Sequence, residues 1–224
     1  MRFIALQFDI TSGDPDANME KVRSMLEPVQ LQRGDVLVFP ELWTTGYVPK
    51  EEMEKISGES NQKVLDFCSK LAKENKVNVL AGSIPRKTET GFFNSMLFFN
   101  PSGAQPASYD KIHLFSPMGE DKIFDAGKNT TTAKIEGKQA GFGICYDLRF
   151  PELFRKLAVG GARLFILPAE FPNPRKDVWH KLLQARAVEN QAFVVAVNRV
   201  GAGGTDTFFG NSCVYDYDGN LVKG

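Results

Sequence analysis

The pattern of apolar residues places this chain in the α/β class and argues against a purely parallel, doubly wound sheet. Three observations carry that reading. Short apolar runs such as Val36-Leu-Val-Phe39 and Leu164-Phe-Ile-Leu167 lack helical spacing, and they alternate with stretches whose apolar residues recur every three or four positions. The run from Asp35 to Pro40 is apolar throughout between its ends, which suits a strand covered on both faces. The segment 77–145, by contrast, is mostly strand-like, so strands and helices do not simply alternate along the chain. Two sheets packed against each other, with helices on their outer faces, accommodate both halves of this pattern as four layers.

In order, Phe3 to Ile10 reads as a buried strand. Asp14-Pro15 offers an N-cap and a first-turn proline, and Met19, Val22, Met25, Leu26 and Val29 keep helical spacing until Gly34 closes the helix. Asp35 to Pro40 is the second strand, with Glu41 at its carboxyl end. Ser60 to Glu74 is a helix through Val64, Leu65, Cys68, Leu71 and Ala72, which makes Cys68 a core-face residue. Val77 to Ile84 and Phe92 to Phe99 are strands, the latter ended by the turn Asn100-Pro-Ser-Gly103. Ala107 to Leu114 resumes extended structure, and a loop follows from Ser116 to Lys128. Strands are expected at 131–135, 139–145, 163–168, 192–200 and 211–217, a long helix at 176–191, and a hairpin turn at Asp218-Gly219.

The 224 residues suffice for one large domain with a sizeable core, and a single domain over 1–224 is expected. Lys+Arg 27 against Asp+Glu 27 gives formal charge +0, which provides no electrostatic case for nucleic acid or an anionic membrane. Three cysteines, widely spaced, make neither a disulfide framework nor a zinc cluster, and the start of the chain lacks the pattern of a secretory leader. A cytoplasmic protein is expected. No apolar run approaches the roughly 20 residues needed to cross a bilayer. Asn129-Thr-Thr131 matches a glycosylation sequon by chance in such a chain. Gly201-Ala-Gly-Gly204 is read as a loop, because the third glycine of a dinucleotide fingerprint falls on Asp206 and no helix follows.

The chemistry is expected around Gly141-Phe-Gly-Ile-Cys-Tyr146. A glycine-spaced strand, 140–144, runs toward Pro151 to Leu157, whose proline, early acid and later bases mark a helix start. Cys145 stands at the corner. Gly141 and Gly143 would let another backbone come close, and first-turn N–H groups would point at a thiolate or a developing oxyanion. A lone cysteine is more often a small core hydrophobe, so partners must decide. Open α/β domains place ligands beyond strand ends, and Glu41 and Lys111 occupy such ends or adjacent positions. Each has a plainer reading, a cap for the glutamate and an edge charge for the lysine. His113 would face the same side as Lys111 if their segment is a strand, which leaves a thiol–imidazole pair open. His180, on a helix beside Trp179, reads as structural.

Three blocks decide between these alternatives by resemblance. Phe39-Pro-Glu-Leu-Trp-Thr-Thr-Gly-Tyr47, Tyr109-Asp-Lys-Ile-His-Leu-Phe115 and Gly141-Phe-Gly-Ile-Cys-Tyr-Asp-Leu-Arg-Phe-Pro-Glu152 resemble, in order, the signature blocks of the nitrilase (carbon–nitrogen hydrolase) superfamily. The resemblance implies an α-β-β-α sandwich, a homodimer or larger assembly, and a Glu41-Lys111-Cys145 triad. It also implies a second glutamate after the lysine, matched by Glu120 with Asp121 as runner-up. Ala169-Glu-Phe-Pro-Asn-Pro-Arg175 and the 179–191 stretch are similar to the bacterial ω-amidase-like branch, which hydrolyses the side-chain amide of 2-oxoglutaramate or 2-oxosuccinamate. Family chains usually continue some tens of residues past the hairpin at Asp218-Gly219.

On this reading Glu41 takes the Cys145 proton, the thiolate attacks the amide, and the oxyanion rests on the Lys111 ammonium and the Tyr146 backbone N–H. A thioester and ammonia result, and Glu41 then activates water, with Glu120 orienting the water or Lys111. Cys145 is expected to be partly exposed. Neither a metal nor an organic cofactor is required. A substrate carboxylate needs a cation, for which Arg149 and Arg175 are candidates, and Trp43, Tyr47, Phe115 and Phe171 could wall the pocket. Two alternatives stand: another small amide, N-carbamoyl amine or nitrile as substrate, and a catalytically silent binding or scaffold protein.

Overall fold

A computed structural model describes residues 1–224. The first sheet takes its strands in chain order: β1 (Phe3–Ala5), β2 (Val36–Val38), β3 (Asn78–Thr88), β4 (Gly91–Phe99) and β5 (Ala107–Asp110). Its β1, β2 and β3 are parallel, whereas β3, β4 and β5 form an antiparallel meander. The parallel crossovers are helices α1 (Pro15–Leu26) and α2 (Lys50–Asn75).

The second half begins with a single turn, α3 (Glu120–Ile123), and continues through β6 (Thr132–Ile135), β7 (Lys138–Phe142), α4 (Pro151–Val159), β8 (Leu164–Ala169), α5 (Lys176–Asn190) and β9 (Phe193–Asn198). A small hairpin, β10 (Val200–Gly203) with β11 (Asp206–Phe209), precedes β12 (Cys213–Tyr215) and β13 (Leu221–Lys223). The second sheet has the order β13-β12-β9-β8-β7-β6, with its three central strands parallel.

Alternation along each strand explains the layering. In β2, Val36 and Val38 join a 33-residue core that also contains Phe98 and Tyr109 of the first sheet and Phe142 and Ile166 of the second. This part of the core is the seam between the sheets, where Phe98 meets Phe142. Leu37, between the two valines, points the other way and packs with Met19 and Val22 of α1 and Val64 and Cys68 of α2. The far face of the second sheet is covered by Phe154 and Leu157 of α4 and Trp179 and Leu183 of α5. The layers are thus helix, sheet, sheet, helix, as the sequence predicts. Each buried side chain of this kind contributes about 1.5–3 kcal/mol.

Local differences have local causes. The N-cap is as expected, with Asp14 Oδ1 accepting from Ala17 N at 2.9 Å, but α1 ends at Leu26 and Gly34 serves a later turn at φ 82°. The second helix starts ten residues before Ser60, at Lys50, because the whole polar stretch around Met53 and Ser57 continues its buried stripe. The strand expected through Leu114 stops at Asp110; Lys111 N still donates to Asn94 O, and the chain then turns away. Of the residues expected as a loop, 201–203 are strand instead, since Val200–Gly203 pairs with Asp206–Phe209, and only Gly204 lies in the connecting turn. Gly141 and Gly143 make room for side chains, Leu157 and Phe154, instead of a second backbone. The glycine that does admit backbone is Gly82, where a Cβ would lie 1.8 Å from Pro40 O. There β3 bulges around the segment that carries Glu41.

Candidate active site

Glu41 lies just past β2 and is wholly buried. The chain is held there from both sides: Leu42 N donates to Ser83 Oγ at 2.9 Å, and Trp43 Nε1 donates to Ala81 O at 2.8 Å. Trp43 is therefore an outer-core residue against Phe39 and Phe67, and it does not wall a pocket. The Glu41 carboxylate is crowded with donors. Oε1 accepts from Lys111 Nζ at 2.8 Å, Asn94 Nδ2 at 2.8 Å and Tyr47 Oη at 3.4 Å, and Oε2 accepts from Glu170 N at 2.8 Å.

Lys111 uses all three of its protons on carboxylates, giving one to Glu41 Oε1 and the others to Glu120 Oε1 at 2.9 Å and Oε2 at 2.7 Å. Burial alone would depress the ammonium, but the carboxylates of Glu120 and Glu41 hold it well above the ordinary lysine value. Glu120 has a full set of partners, since Oε1 also accepts from Asn94 Nδ2 and Oε2 from Phe115 N at 2.7 Å. Asp121 is exposed, so of the two acids in this loop it is Glu120 that reaches the lysine.

Cys145 opens a 3-10 turn, Cys145–Arg149, between β7 and α4, at φ 45°. A non-glycine residue there stores about 1–3 kcal/mol of strain. Asp147 holds the corner, accepting from Ile144 N at 2.9 Å, Tyr109 Oη at 2.7 Å and His113 N at 3.0 Å. The Tyr146 N–H falls in the first turn, where no helical acceptor exists. Cys145 is only 7% exposed, less than expected. Burial, then Glu41, push its thiol well above the ordinary range, while Lys111 pulls the other way. The resting group is a thiol beside a carboxylate.

His113 does not join this cluster. Its Nδ1 lies 2.7 Å from Asp147 Oδ1 and its ring stacks on Phe150 at 3.6 Å, because the strand ends before it and the expected shared face with Lys111 is lost. His180 is structural, between Tyr215 Oη at 3.0 Å and Asn211 Oδ1 at 3.4 Å.

A cavity of about 10 Å³, room for one water, opens at the thiol. Tyr47, Phe115, Tyr146, Arg149, Phe171 and Arg175 line it together with Cys145, so all four residues expected to bind substrate stand on its wall. Arg175 lies over the Phe115 ring at 5.1 Å. Neither Arg149 nor Arg175 has a carboxylate within 4.0 Å, leaving two unpaired cations at the mouth. Glu41, Lys111 and Glu120 stand off the wall.

Comparison with known proteins fits this cluster. The carbon–nitrogen hydrolase profile matches residues 5–224. The chain belongs to that family. This carbon–nitrogen hydrolase is 37% identical to the 2-oxoglutaramate amidase of Bacillus subtilis over 97% of its own length and 83% of the relative's. A superfamily member from Xanthomonas campestris, solved with an arsenic adduct in its active site, is 30% identical with a TM-score of 0.86, covering 100% of this chain and 85% of that one. An amidase from Nesterenkonia sp. AN1, solved with acrylamide added to its active-site cysteine, is 27% identical with a TM-score of 0.88, covering 99% and 87%. The carbon–nitrogen hydrolase is thus an enzyme acting on C–N bonds, which sets aside the silent scaffold. No helix is long and apolar enough to cross a membrane.

Two site residues escape a reading of the sequence. Asn94, which bridges Glu41 and Glu120, is signalled only by an amide inside the apolar run of β4. Glu170 follows the carboxyl end of β8 as Glu41 follows β2, so the rule that selects Glu41 selects it too.

Proposed function

We propose that this carbon–nitrogen hydrolase is an ω-amidase, releasing ammonia from a small carboxylate-bearing amide of the 2-oxoglutaramate or 2-oxosuccinamate type. The observation that carries the reading is the buried cluster of Glu41, Lys111 and Glu120 behind a thiol whose cavity mouth holds two unpaired guanidinium groups. Likeness to the 2-oxoglutaramate amidase supports the same substrate class.

In the proposed reaction Glu41 takes the Cys145 proton as sulfur adds to the amide carbon. The resulting oxyanion is held by the Tyr146 N–H and the Lys111 ammonium. Lys111 has no spare proton at rest, and protonation of Glu41 answers this: a neutral acid holds the ammonium less firmly, which frees one N–H as the oxyanion forms. Glu41 passes the proton to nitrogen, the C–N bond breaks, and ammonia leaves a thioester. Glu41 then removes a proton from water, which attacks the thioester and returns the acid and the thiol. Glu120 keeps Lys111 in place throughout. Tyr47 and Phe171 wall the acyl group, and Arg149 and Arg175 meet the distal carboxylate. Neither a metal nor an organic cofactor enters these steps.

The reading extends to a cytoplasmic enzyme that works as a homodimer or larger assembly, without nucleic acid or membrane. Three buried, unpaired cysteines support the compartment, and exposed Phe193, Tyr217, Leu221 and Val222 support self-association. Ammonia release from a panel of 2-oxo acid amides, uncharged amides, N-carbamoyl amines and nitriles tests the function. The highest kcat/KM should fall on the 2-oxo acid amides; a preference for any other class would refute the assignment.

A further inference from the structure

The mechanism above leaves one buried acid on the cavity wall without a task. Glu170 is 2% exposed and lines the cavity beside Cys145. Its Oε2 accepts from Arg199 Nη1 at 3.2 Å, and Arg199 is itself tied to Asp9 Oδ1 at 3.0 Å and to the carbonyls of Ile10 and Ala202. Its Oε1 is buried with no partner. Such an atom is costly to bury unless something satisfies it. The other acids near the thiol have no such opening: both oxygens of Glu41 and of Glu120 already accept hydrogen bonds.

We infer that Glu170 is a specificity residue which, as a neutral acid, donates from Oε1 to the carboxylate of a bound substrate, and which repels that carboxylate once ionised. This rests on the proposed function and names a further anchor within it. With Oε2 facing the Arg199 donor, the acid proton belongs on Oε1. Burial raises Glu170 to about 8, against the pull of Arg199 and with the push of Glu41, so the proton is present at neutral pH. The charged and titratable groups around it are Arg199, Asp9, Glu41 and Lys111, with Tyr47, Cys145, Arg149 and Arg175 sharing the cavity. Lys111, Tyr47 and Cys145 are all displaced upward, away from this range.

Succinamate and butyramide, which differ by a carboxylate in place of a methyl group, provide the test. Steady-state kcat and KM are measured for both between pH 6.5 and 9.5 in the full chain, in Glu170→Gln and in Glu170→Ala, with thermal melting to confirm folding. For the natural sequence, KM for succinamate should climb above pH 8 toward tenfold per unit while KM for butyramide stays flat. Glu170→Gln keeps a donor and should abolish the climb; Glu170→Ala should abolish it and raise KM for succinamate several-fold at pH 7. A climb shared equally by both amides, or one that survives in Glu170→Gln, would overturn the inference alone. Failure to release ammonia from succinamate, from butyramide and from 2-oxoglutaramate alike would overturn the proposed function and this inference with it.

Discussion

The Nζ of Lys111 and Oε1 of Glu41 lie 2.8 Å apart with both side chains fully shielded from solvent. Charges brought from water into such a place are costly, and they persist because Glu120, Asn94, Tyr47 and the Glu170 amide complete their hydrogen bonds. The cluster is a structural commitment as well as a chemical one. Replacing Lys111 by Met should therefore both end catalysis and destabilise the fold by about 3–5 kcal/mol, since two carboxylates would be left facing each other. Thermal melting checks it: a drop of roughly 6–20 °C is expected for a chain of this size, and an unaltered midpoint would contradict the account.

Cys145 should behave in the opposite way. Removing the thiol takes away the nucleophile without unpairing any charge, and glycine adopts φ 45° without the strain a side chain incurs. Cys145→Gly is expected to release no ammonia while melting at or above the parent temperature. Ammonia release by that variant would dismiss sulfur as the attacking atom.

The competing base is settled by comparing two substitutions. His113 pairs with Asp147 and stacks on Phe150, so His113→Ala should lower kcat by about tenfold or less through a loosened corner. Glu41→Gln should lower it by a thousandfold or more, in the range of lost acid–base catalysis. The reverse ranking in single-turnover assays would favour a thiol–imidazole enzyme.

Arg175, stacked on Phe115 and free of any acid, is expected to act on binding alone. In Arg175→Ala, KM for 2-oxoglutaramate should rise about tenfold or more, the scale of a charge-assisted hydrogen bond, with butyramide little affected. Equal changes for both would assign the guanidinium to packing.

Glu170 also predicts how stability varies with pH. Its folded value, about 8, lies above the ordinary 4.5, so the unfolded chain releases this proton first. Its contribution is most favourable below 4.5 and declines as pH rises through 8, by an amount on the order of a few kcal/mol. Glu170→Gln should flatten the fall in melting temperature between pH 5 and 8. A parallel fall in both proteins would show that the carboxyl ionises normally in the fold.

The α/β class, the four layers and the places of Glu41 and Cys145 at strand ends were legible in the chain because each follows from local pattern: apolar runs, glycine spacing, a proline-led helix start. Choosing Lys111 over His113 was not a matter of period. In an extended strand both residues share a face, and only the end of β5 at Asp110 sends His113 to Asp147. The early start of α2 and the hairpin at Val200–Gly203 were likewise settled by what they pack or pair with. Asn94 and Glu170 matter through partners 53 and 129 residues away in the chain, on Glu41. Sequence determines which groups can stand at strand ends; the packing of the two sheets decides which of them meet, because hydrogen bonds between buried charges form only where the layers bring donors and acceptors within 3 Å and shut water out.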